Sequence, residues 1–154
     1  DRSRNHQLNA VIEAPFKELS VPTRESICAL EAAIQAVPPE QQATYQNIHN
    51  FCPGLYARSI YMKAGTVLTS KIHKTQHFFV VLQGSCTVVN SHGDRELIEA
   101  PYLGVTMPGT KRALYIHSDV IWTTFHATEL TDVAEIEKAI LAESFEAYDQ
   151  ECKQ

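Results

Sequence analysis

Residues 71–90 read "KIHKTQHFFVVLQGSCTVVN", and the reading of this stretch decides the fold. From His77 onward it is dense in β-branched and aromatic residues and interrupted at Gly84. That pattern predicts two short strands, "HFFVVLQ" and "SCTVVN", joined by a turn. The same alternation continues on both sides: "LYARSIYM" and "TVLTSKI" precede it, and "RELIEA", "LGVTM", "KRALYI" and "VIWTTFHA" follow. Turn signals at Ala64-Gly65, "SHGD", "AP", "PGT" and "HSD" separate them. About eight short strands with no helix between them predict a sandwich or barrel.

Outside this block the period becomes helical. Thr23 is placed to cap a helix whose apolar face is Ile27, Leu30, Ile34 and Val37, and "PP" at 38–39 ends it. Residues 1–22 read as an extended arm interrupted by Pro15 and Pro22, and residues 40–54 as a polar connector. After His126, Asp132 with Glu135 three later predicts a helix start. Val133, Ile136, Ile140, Leu141, Phe145 and Tyr148 form its apolar stripe, to pack on the barrel or on a partner subunit. The expected organisation is one domain: arm, helix and connector over 1–54, barrel over 55–128, and C-terminal helix over 129–154.

The 154 residues are 44% hydrophobic and 20% charged, ordinary for a globular chain, with a formal net charge of −5. An acidic balance argues against bulk binding to nucleic acid or to an anionic membrane. No apolar run reaches the length of a membrane span, and the N-terminus "DRSRNHQLNA" is too polar for a signal peptide. Cys28, Cys52, Cys86 and Cys152 are scattered without a CxxC pair, which predicts reduced thiols and a cytoplasmic setting.

The strand block resembles the cupin family, a small jelly-roll barrel. That family's first motif has a glycine, two histidines one residue apart, a glutamate three or four later, and a glycine six beyond. Here Gly65 opens it and Gly84 closes it; His77 stands at the glutamate position, His73 at the second histidine and Lys71 at the first. In the second motif, "MPGTKR" places Arg112 on the histidine position. The resemblance covers residues 55–127 and implies a mainly β, cupin-like jelly-roll barrel with an N-terminal arm and helix and a C-terminal helix.

Lysine and arginine are protonated at pH 7 and cannot act as metal ligands. His73 and His77 remain, with His126 near the end of the last strand as a third candidate. Three imidazoles and a water suit a divalent metal such as zinc, iron, nickel or manganese. Alternatively, Lys71 and Arg112 with the two histidines form a cationic pocket for a small anionic ligand, a carboxylate or a phosphate. A third use is proton transfer by a histidine whose pKa is lowered by burial and repulsion. A hydrogen-bonded histidine pair without any ligand is the fourth. Lys74 and Lys111 are expected at the surface, His92 and His117 in exposed turns, His6 and His49 without partners, and Trp122 and Cys86 in the core.

Two narrower resemblances bear on activity. "KIHK" followed by "GSCTVV" is similar to the sugar-nucleotide ketoisomerases among cupins, although Lys71 stands where they carry a histidine. Over a longer span, "AGT", "KIHK", "GTKR" and "VIWTTFHAT" resemble cupin-like proteins of tailed bacteriophages and prophages. This implies a host-cytoplasmic or virion location, and a virion or host protein as partner. A virion-associated structural role without catalysis then competes with ligand binding. The arm, the C-terminal helix and the habit of cupin barrels to dimerise through their sheets imply a homo-oligomer, with neither nucleic acid nor membrane as partner.

Overall fold

The structure is a computed structural model and describes residues 13, 15–19 and 21–154. Most of the expected N-terminal arm, with His6, lies outside the described residues. Helix α1 (Arg24–Gln35) begins where the sequence places it: Thr23 Oγ1 accepts from the Ser26 amide, and the Ser26 hydroxyl closes the reciprocal bond. Ile27 and Leu30 form its buried face.

Nine strands follow: β1 (Gln46–Cys52), β2 (Leu55–Met62), β3 (Val67–Thr69), β4 (Ile72–His73), β5 (His77–Asn90), β6 (Arg95–Glu99), β7 (Tyr102–Thr106), β8 (Arg112–Ala127) and β9 (Leu141–Ala142). Two corrections to the sequence reading are evident. The polar connector contains β1, which pairs along its whole length with β2. Its residues are polar because the strand is an edge and almost wholly exposed. The strands expected as separate pieces around Gly84, and around "HSD", are instead the continuous strands β5 and β8.

These two long strands organise the molecule. The first part of β5 pairs with β7 and the second with β6, while β8 pairs with β3 at one end and β2 at the other. Where β5 meets β8 the register shifts between Val81 and Cys86, so both strands bend there and pass from one sheet to the other. Gly84 sits at that bend with φ +82°, and a Cβ there would lie 2.2 Å from the Asp119 carbonyl oxygen. Only glycine fits. The result is the mainly β, cupin-like jelly roll that the sequence implies, with short helices at both ends.

The core between the sheets holds Met62, Leu68, Phe79, Val81, Cys86, Val88, Ile98, Leu114, Ile116, Val120 and Trp122. The outer faces differ. Val67, Val89 and Ala113 are covered by α1 and by Phe16 and Leu19 ahead of it. The other sheet presents the row Ile48–Ser59–Thr123–Val80–Leu103 across five strands. The flanking rows are Gln46–Tyr61–Ile121 and, in two paired pieces, Asn50–Ala57–Phe125 and Phe78–Val105. None of these residues is charged, and Phe78, Leu103, Val105 and Tyr61 are exposed.

The C-terminal segment is two helices rather than one, α2 (Val133–Ile140) and α3 (Phe145–Glu151), separated by β9. Asp132 caps α2 through the Glu135 amide, as the spacing predicts. Ile136, Ile140 and Leu141 pack on Tyr56 of the barrel. Strand β9 then pairs with β4, Ile72 facing Ala142 and His73 facing Leu141. No helix among the described residues is long and apolar enough to cross a membrane.

Candidate functional site

The stretch "KIHKTQH" folds as the short strand β4 followed by a bend into β5, so it can follow the barrel wall only if something holds it from outside. Strand β9 does so, helped by the Lys74 amide donating to the Ile140 carbonyl at 2.7 Å. His73 and His77 thereby turn inward and are both buried. His126 arrives from the inward face of β8, alternating with Thr124 and Trp122. Ring centroids lie 4.8 Å apart for His73 and His77, 4.3 Å for His77 and His126, and 6.5 Å for His73 and His126. The structure brings the three histidines together, a contact that the sequence could not establish.

Their second ring nitrogens are partly anchored. His77 Nδ1 lies 2.9 Å from the Thr75 carbonyl oxygen, which can only accept, so Nδ1 carries the proton and Nε2 keeps its lone pair. His126 Nε2 bonds the Thr124 hydroxyl at 3.1 Å. His73 Nδ1, His77 Nε2 and His126 Nδ1 are buried with no hydrogen-bond partner among the described residues. All three rings resist protonation, chiefly through burial. For His73 the neighbouring His77 and Arg112 charges add to it, and for His77 the Thr75 carbonyl opposes it. Burial, with help from His77 and Arg58, pushes His126 down to about 3. At neutral pH this is a cluster of uncharged imidazoles.

That donor chemistry suits zinc or iron. The placement does not enclose one: no group of three or more His, Cys, Asp or Glu among the described residues is arranged to hold a metal ion. The carboxylate of the family's motif is absent because His77 occupies its position.

Arg112 opens β8 and reaches inward. The residue is 9% exposed, and its guanidinium donates to Thr106 Oγ1 at 2.9 Å and lies 4.9 Å from the centre of the Phe79 ring, which stacks on Trp122. No Asp or Glu among the described residues forms an ion pair with it. Burial lowers its pKa to about 10, with Glu96 and Tyr102 opposing, so it stays cationic at neutral pH. A buried guanidinium without a carboxylate is an expensive arrangement.

Arg112 lines a cavity of about 310 Å³ together with Arg58, Lys71, His73, Thr124, Glu137 and Leu141. Arg58 is balanced by Glu137 at 3.5 Å and was not singled out by sequence reasoning, since its role depends on α2 folding over the barrel. Lys71 reaches the cavity from an exposed position at its mouth, not from the interior as the motif alignment implies. His77 and His126 stand behind His73 and do not line the cavity.

Lys111 requires a correction. Expected at the surface, it is 4% exposed and donates to Glu31 at 2.6 Å and to the Ser70 carbonyl at 2.8 Å. Glu31 also accepts from Thr69 Oγ1, and the Arg112 amide donates to Ser70 Oγ. Helix α1 therefore fixes the cavity wall from outside. Two further differences concern histidines: His49 has a partner, the Tyr56 hydroxyl at 2.6 Å, and His117 lies within β8, bonded to Thr87. Trp122 and Cys86 are in the core, as expected.

No protein-family model and no curated protein matches the sequence. Solved structures resemble the fold. Ectoine synthase from P. lautus shares 18% identity with a TM-score of 0.52, over 66% of this chain and 73% of that chain. An RmlC-like cupin with a double-stranded β-helix fold from Methanocaldococcus jannaschii gives 7% and 0.45, over 57% and 92%. A cupin-2 domain containing protein from Shewanella frigidimarina gives 9% and 0.43, over 55% and 80%. At these identities the likeness is one of fold, and function has to be argued from the site.

Proposed function

We propose that the barrel cavity binds a small organic anion, with Arg112 as its principal anchor, His73 on its wall and Lys71 at its mouth. The observation that carries this reading is that buried Arg112, which forms no ion pair among the described residues, lines a cavity of about 310 Å³. A carboxylate or phosphate oxygen docking there supplies the missing counter-charge. The resemblance of "KIHK", "GTKR" and "VIWTTFHAT" to cupin-like phage proteins supports a phage context, in the host cytoplasm or virion. Thermal-shift titration with a mixed panel of carboxylates and phosphates tests the binding. At least one anion should raise the melting temperature of the wild type and not of Arg112→Met, with circular dichroism confirming that the variant folds. A panel without effect on the wild type removes this reading.

A second reading is favoured by the three orphaned imidazole nitrogens. His73, His77 and His126 would hold zinc, iron, nickel or manganese if their rings turned to converge on one point. Metal content of protein purified without chelator decides it. Near one equivalent, lost in the His73→Ala/His77→Ala variant, supports a metal centre; no metal excludes it.

A further inference from the structure

The charges and the lining of the cavity narrow the class of anion, an inference that rests on the binding role just proposed. Four charged side chains line the space. Arg58 and Glu137 pair with each other and cancel. Lys71 is exposed, so water screens it. Arg112 alone is buried without an ion-pair partner among the described residues, with Glu96 favouring its charge without pairing with it. The cavity thus has an excess of one buried positive charge, and the imidazole of His73 beside it is held neutral by burial.

The remaining walls combine hydrocarbon with the polar side chains of Tyr45, Asn47, Thr69, Ser70 and Thr124. Ile60, Met62, Leu68, Leu114, Trp122 and Leu141 all face the same space. A phosphate ester is dianionic near neutral pH and surrounded by hydroxyls in sugar phosphates. It would bring one buried charge more than the single Arg112 guanidinium matches. A single carboxylate matches the guanidinium in charge and in planar, two-pronged geometry. An apolar body behind that carboxylate matches the hydrocarbon part of the walls.

We propose that the ligand is a small monocarboxylate with an apolar body, bound carboxylate-first to Arg112 with its hydrocarbon against Trp122, Ile60 and Leu114. At 310 Å³ the cavity is at the small end of ligand sites, which span about 300–1,000 Å³.

Calorimetric titration of the full chain with acetate, hexanoate, phenylacetate, succinate, inorganic phosphate and glucose 6-phosphate tests the class. Hexanoate and phenylacetate should bind at least about tenfold tighter than acetate, since each fully buried methylene contributes about fourfold. Phosphate, glucose 6-phosphate and succinate should not compete with them. Ile60→Asn should erase the preference for hexanoate over acetate while Arg112→Met removes binding altogether. Tighter binding of phosphate, glucose 6-phosphate or succinate, still dependent on Arg112, overturns the monocarboxylate class and leaves the anion site standing. Binding of none of the probes overturns both. Hexanoate binding that survives Arg112→Met removes the carboxylate-first orientation and with it the proposal.

Discussion

The imidazole of His77 lies 4.3 Å from that of His126, centroid to centroid, and burial keeps both from taking up a proton. An unfolded chain has no such restraint: its histidines titrate near 6.5. Between that value and about 3, the folded pKa of His126, the unfolded state binds a proton that the fold refuses. Stability is therefore full above pH 6.5 and is lost as pH falls. Each histidine contributes at most about 1.4 kcal/mol per pH unit. The urea midpoint is expected to drop from pH 7 to pH 5, and to drop less in His126→Gln. Equal midpoints at the two pH values would count against the neutral cluster.

Glu31 and Lys111 join helix α1 to the cavity wall. Removing the carboxylate by Glu31→Ala leaves the Lys111 ammonium buried at 4% exposure with only the Ser70 carbonyl. The cost should be about 2 kcal/mol, below the figure for a fully buried pair because Glu31 is partly exposed. Lys111→Met, which removes the buried charge itself, should cost less. Chemical denaturation of both variants gives the comparison; a larger loss for Lys111→Met contradicts this account of the pair.

Gly84 stands at the bend of β5, where a methyl group would meet the Asp119 carbonyl and the φ of +82° is itself unfavourable for an L side chain. Gly84→Ala is expected to lower stability by about 3 kcal/mol. A melting temperature within a degree or two of wild type would show that the bend relaxes freely.

The uncharged outer rows of β1, β2, β8, β5 and β7 form a face about 24 Å wide. An uncharged face that exposes Phe78, Leu103, Val105 and Tyr61 calls for a cover in water. A neutral face complements itself, and a second copy packed sheet to sheet would bury an area near the roughly 800 Å² per partner of a standard interface. The expected state at micromolar concentration is a dimer. Phe78→Asp with Leu103→Asp should shift sedimentation to the monomer and leave the fold intact; a wild-type monomer would refute the expectation.

Much of the fold was legible because it is periodic. Alternation gave the barrel, and Thr23 and Asp132 gave two helix starts. Strand β1 was hidden because an exposed edge strand has no apolar side to announce it. The break between α2 and α3 was hidden as well, since Leu141 continues the apolar stripe of the helix although it belongs to a strand. At the candidate site, alignment with a motif singles out Arg112 and His73, which line one cavity in the fold. Lys111 was misplaced because strict alternation from Arg112 points it outward, and only the folded chain shows that Glu31 waits there. Arg58 could not be found at all, because its neighbours come from the far end of the sequence.

The strand pairing of β4 with β9 has a consequence for how the protein is made. Strands β1 to β8 lie before residue 128, whereas Glu137 and strand β9, with Leu141 and Ala142, come after it. A chain leaving the ribosome N-terminus first can pair β1 to β3 with β5 to β8 while β4 is still without its partner and the cavity lacks a wall. On the binding role proposed above, affinity would arise last, with the arrival of the C-terminal segment. Occupancy of the cavity is in this sense a report that synthesis has passed residue 142.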